Sequence, residues 1–183
     1  MPTPPHQTPV GPFKYTVPFT APANARLIAA AQAERKEPTE IIQRATINYL
    51  IDAGFVPEDE ADRFKLFWWL VDQTVLAAQK ICRDGGFASS ITLDAIHACM
   101  KDPKWVEGYR TYVRNDIFKN GNPEKGPINR EIGFRIRAGI GGVVEKTAEG
   151  KSATVKVLGE IIQSYTPMTD YDRDTFAPSK AAA

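Results

Sequence analysis

The sequence predicts a mainly α protein with a small β component. An N-terminal strand–helix–helix unit that pairs with a second copy leads into a helical domain ending in a C-terminal β-hairpin. Three observations carry this. Residues 13–20 alternate, with Phe13, Tyr15, Val17 and Phe19 on one side and Lys14, Thr16, Pro18 and Thr20 on the other, the period of a half-buried strand. From Ala23 to Arg114 apolar residues recur at helical spacing between clear breaks. Beyond Gly139, Gly141 and Gly142 that period gives way to two short runs, 143–147 and 153–158, joined at Glu149-Gly150-Lys151.

Taken in order, residues 1–12 are rich in proline and polar residues and read as a disordered arm. Pro18 removes a backbone donor, so the strand that follows lies at an edge or ends there. The first helix covers 23–35, with Asn24 as its cap and Leu27, Ile28 and Ala31 as its stripe. Arg35-Lys36-Glu37 breaks it, and Pro38 suits the first turn of a second helix that closes at Gly54. That completes a unit over 13–55. A mostly helical domain follows over 56–166, with helices expected at 59–83, 92–100, 103–114 and 129–139. The chain from 167 to 183 reads as a disordered tail.

Of the 183 residues 43% are apolar and 25% charged, with a net charge of +1. This is the balance of an ordinary globular protein. No apolar run reaches the ~18–20 residues that cross a bilayer, and the N-terminus lacks the pattern of a signal peptide. The expectation is therefore a cytoplasmic protein without a membrane. Cys82 and Cys99, both in apolar helical patterns, read as buried thiols. Charge is uneven: acids lead over 57–107, bases over 109–156. A locally basic stretch can serve an anionic partner even in a neutral chain.

A lone strand leaves its edges unpaired, and pairing with a second copy above four helices repairs that. The exposed face of such a two-stranded ribbon fits the DNA major groove. The segment KYTVPFTAPANARLIAAAQAERKEPTEIIQRATINYLIDAG resembles the ribbon–helix–helix DNA-binding proteins of the Arc and MetJ type. Lys14-Tyr15-Thr16-Val17 matches the strand, and Pro38 to Ala45 the second helix. The resemblance covers about a quarter of the chain. It implies a homodimer or higher even oligomer on double-stranded DNA, with Lys14, Thr16 and Pro18 at the base edges. It also implies a phosphate held by the start of the second helix, at Thr39 and Glu40. Pro18 stands where a polar reader is usual, and Glu37 and Glu40 put negative charge near that phosphate. From charge rather than resemblance, Arg130, Arg135 and Arg137, with Lys125 nearby, offer a second phosphate-contacting surface.

No catalytic constellation emerges. His97 and Cys99, two apart on a helix, do not share a metal, and no further ligands have suitable spacing. Gly150-Lys151-Ser152 ends like a phosphate-binding loop, but Glu145 occupies the position of its first glycine. Glu58 to Asp62 suits a helix start, and Asp170, Asp172 and Asp174 lack the glycine and distal glutamate of a calcium loop. Phe64, Phe67 and Trp68 share a helix face, and core is the favoured reading of this aromatic cluster; Trp69 points elsewhere and is the candidate for a surface that packs on another subunit. The expected function is sequence-specific DNA binding by a non-enzymatic dimer without cofactor or metal, as a repressor or a plasmid or phage site-binding factor. The alternative is an adaptor whose C-terminal domain binds a protein partner while the N-terminal unit only dimerises, an antitoxin being a hybrid of the two.

Overall fold

The computed structural model describes residues 16–176. Helix α3 (Glu58–Arg83) is the axis of the molecule, with α4 (Ile91–Cys99), α5 (Pro103–Val113) and α6 (Lys125–Ile140) packed against it. Its inner stripe runs from Val71 through Thr74 and Ala78 to Cys82 by steps of three and four residues, with Leu70 beside it, the spacing of one helix face. Acids fill the first turn and Lys80 and Arg83 the last, each charge suited to its end of the dipole. Asp102 caps α5 by accepting from the Lys104 N–H, and Pro103 opens that helix. Ile128, Ile132, Ile136 and Ile140 of α6 are fully buried. Gly141 ends α6 at φ +62, a left-handed cap that most side chains resist.

Before this body stand α1 (Ala21–Glu34) and α2 (Pro38–Asp52), packed on one another. Only Ala31 and Glu40 of the pair are buried. Polar contacts join it to the body: Arg35 to Asp172, Arg44 to Asp72, and Glu40 to Arg135.

The expected N-terminal strand is not formed among the described residues. Lys14, like Phe13 and Tyr15, lies outside them. Residues 16–20 adopt no regular structure, and Val17 and Phe19 stay 58% and 45% exposed. Alternation alone does not make a strand, because its backbone groups need a partner, and no other described segment pairs with this one. The ribbon–helix–helix architecture is thus corrected to a helical pair attached to a helical body. Asn24 is not the cap of α1; Thr20 is.

The expected C-terminal hairpin is also corrected. β1 (Val143–Val144) pairs with β4 (Met168–Asp170), and β2 (Val155–Lys156) with β3 (Ser164–Tyr165), in two antiparallel sheets. The two expected strands meet only at a bridge between Lys146 and Ser152. Residues 167–176, read as tail, enter the core through Met168, Tyr171 and Phe176, the last in α7 (Arg173–Phe176). No helix among the described residues is long and apolar enough to cross a membrane.

Candidate anion-binding cleft

Helix α6 is two-faced. Its four isoleucines, together with Arg135 and Gly139, pack inward. Gly126, Arg130, Gly133 and Arg137 recur at four, three and four residues on the opposite side and form one wall of a cleft of about 620 Å³. A Cβ added at Gly126 or Gly133 would meet nothing within 4 Å, so the two glycines keep this wall low. The facing wall comes from Ser152, Thr154 and the run Ile162 to Thr166. β2–β3 pairing and the buried Ile161 and Ile162 hold that run in place.

The chemistry of the lining is one-sided. It contains Lys125, Arg130 and Arg137 but no aspartate, glutamate, histidine or cysteine. Among the described residues neither Arg130 nor Arg137 makes an ion pair. Arg137 instead lies across the Phe134 ring, 5.2 Å from its centroid. Lys125 is committed elsewhere: its Nζ donates to the carbonyls of Ile117 and Lys119 at 2.6 and 3.2 Å. Burial lowers the pKa of Lys125, with Asp116 opposing. Asn129 is fixed at the floor, accepting from the Tyr109 hydroxyl at 2.6 Å and donating to the Ile161 carbonyl at 3.5 Å. Burial pushes the Tyr109 hydroxyl pKa up, so it remains a donor at ordinary pH.

The residues singled out from the sequence are dispersed. Thr16 and Pro18 are exposed in the irregular lead into α1. Thr39 is exposed in the first turn of α2. Glu40 cannot hold a phosphate: its N–H donates to the Glu37 carbonyl, and its carboxylate is 2.7 Å from Arg44 and 2.8 Å from Arg135. Arg135 is only 6% exposed and also pairs with Glu131 at 2.6 Å, so it belongs to the core and not to a phosphate-contacting surface. Arg130 and Arg137 alone of that set share a site. Trp69 packs against α5, its ring 3.1 Å from where a Gly108 Cβ would stand, and is not a free surface. His97 pairs with Glu160 at 2.7 Å.

Sequence reading missed the facing wall. Its signal is the density of hydroxyl groups at Ser152, Thr154, Ser164, Tyr165 and Thr166 among residues that otherwise read as strand or tail. No protein-family model matches the chain, and neither a curated protein nor a solved structure shows significant similarity to it.

Proposed function

We propose that the chain is a nucleic-acid-binding protein whose phosphate contacts are made in this cleft, by Arg130 and Arg137, and not by an N-terminal ribbon. The supporting observation is a cleft with two arginines that have no acid partner among the described residues and no carboxylate in its lining. Guanidinium groups suit phosphate because their planar fork donates two parallel bonds. Without a carboxylate, imidazole or thiol in the lining, the reading is of binding and not of catalysis. The two thiols, both free and buried, accord with a cytosolic setting. Gene regulation or the marking of a plasmid or phage site remains the proposed use.

The test is a binding titration on DNA at two salt concentrations. Affinity falls with salt, and each arginine removed reduces the slope of log K on log salt by about 0.7–0.9. Arg130→Ala and Arg137→Ala weaken binding on every sequence, whereas Lys14→Ala/Thr16→Ala leaves it unchanged. Salt-insensitive binding, or wild-type affinity in the double arginine variant, refutes the assignment.

A second reading rests on a separate observation. Ile28, Leu50, Tyr49 and Phe55 on and just after the α1–α2 pair are exposed, the last two at 65% and 71%. Exposed apolar side chains mark an interface where they form one contiguous patch. The occupant that accords with the dimer expectation is a second copy of this chain, so that the pair dimerises while the cleft binds.

A further inference from the structure

Resting on the nucleic-acid reading above, we infer that the cleft takes a nucleotide whose base is unpaired, so that the preferred partner is a single strand and not a duplex. Three features of the cleft support this.

The first is shape. Arg130 and Arg137 stand in one wall of a concavity whose other wall is the segment 162–166. Duplex phosphates run along the outside of a rod, and its bases show only their edges in the grooves. A single strand can turn one phosphate and one base into a cavity of this size.

The second is an aromatic platform inside the cleft. Phe134 lines it, 40% exposed, between Arg130 and Arg137 in sequence. Arg137 lies across the ring, and Arg135, held by Glu40 and Glu131, stands 5.3 Å from its centroid. Tyr165 contributes a second, half-buried ring to the facing wall. Rings and guanidinium planes are the surfaces on which unpaired bases stack, and they have no access to a base inside a duplex.

The third is a surplus of uncommitted hydrogen-bonding groups. Among the described residues, Thr154, Ser164, Tyr165 and Thr166 of the lining make no side-chain hydrogen bond. Hydroxyls both donate and accept, so they can meet a sugar, a phosphate or the exposed edge of a base. Gly133, with open space where its Cβ would be, leaves room for the ligand to approach the helix.

The experiment is fluorescence anisotropy on the full chain with a labelled oligothymidylate of roughly 16 nucleotides, the upper site size of one single-strand-binding domain. The same strand annealed to its complement is titrated at the same salt. The expected result is at least tenfold tighter binding of the single strand. Phe134→Leu, which keeps an apolar side chain and removes the ring, is expected to cost about tenfold on the single strand, within the range of one lost stacking contact. Gly133→Leu, which fills the cleft from a half-buried helix position with open space at its Cβ, is expected to cost as much, with the thermal melt of each variant as the check on folding. A duplex bound as tightly as the strand overturns the inference while leaving the nucleic-acid reading in place. So does unchanged single-strand affinity in both folded variants. Binding of neither strand nor duplex overturns both.

Discussion

Arg130, Arg135 and Arg137 are alike in composition and within seven residues of one another, yet they do different things. Arg135 lies seven residues after Ile128 and three after Ile132, on the buried face; Arg130 and Arg137 are themselves seven apart on the other face. Helical spacing, not charge, puts one arginine in the core and the other two in the cleft. The consequence centres on Glu40, a carboxylate only 2% exposed between Arg44 and Arg135. Although burial opposes the charge of Arg44, its bonds to Asp72 and Glu40 raise its pKa above the ordinary value. Glu40→Ala removes the carboxylate that two guanidinium groups share, leaving Arg44 on Asp72 and Arg135 on Glu131. It is expected to cost about 1–3 kcal/mol, the loss of hydrogen bonds to charged groups that keep a second partner, measured by urea titration. The thiols give a second residue-scale prediction. Burial pushes Cys82 and Cys99 up to about 11, against an unfolded value of ~8.5. Both are therefore unreactive to a thiol-disulfide reagent at pH 8 until the protein unfolds. Because the folded pKa is the higher one, unfolding releases protons once pH exceeds the unfolded value. The stabilising contribution is complete below ~8.5 and is lost as pH rises towards 11.

Among the elements, α6 carries most of the argument, and its glycines separate its two roles. Gly133 faces the cleft, so Gly133→Ala adds a methyl to empty space and raises helix propensity. It is expected to stabilise the protein by about 0.5–1 kcal/mol, seen as a higher melting temperature. Gly139 faces α3, where an added Cβ would stand 2.6 Å from Val75 Cγ1. Gly139→Ala is expected to destabilise by about 1–3 kcal/mol through overpacking, so the same substitution changes sign six residues along one helix. The helices were legible in the sequence because apolar spacing, Pro38 and Pro103 at first turns, and the Asp84-Gly85 and Asn120-Gly121 breaks are local signals. Helix α6 starts at Lys125, four residues before the expected start at 129, with Pro127 in its first turn, where a backbone N–H has no intrahelical partner to lose. Strand pairing was not legible. β1 finds its partner 24 or more residues downstream, in Met168–Asp170, and nothing local marks that choice. The candidate site was half legible: its cations stood out by charge, whereas its facing wall depends on the same long-range pairing.

At the scale of the whole molecule, the described chain divides by the kind of interaction that holds it. The body around α3 is closed by an apolar core running from Leu70 to Phe176. The α1–α2 pair is joined to it chiefly by Arg35–Asp172, Arg44–Asp72 and Glu40–Arg135. The first two of these are partly exposed, and partly exposed ion pairs contribute about 0–1 kcal/mol each and weaken with salt. With so little apolar burial, the pair should open locally at a much lower free energy than the body unfolds. A second copy seated on Ile28, Tyr49 and Phe55 would reverse that, since association stabilises by mass action. Hydrogen exchange at two protein concentrations tests this. At low micromolar concentration the amides of α1 and α2 are expected to exchange well before those of α3 and α6, and faster in high salt. On raising the concentration tenfold, their protection is expected to increase while that of the body stays constant, and Tyr49→Asp should abolish the increase. Protection of α1 and α2 that ignores concentration would reject the second copy as the occupant of this face. Protection equal to that of the body at both concentrations would show instead that the pair and the body open as one unit.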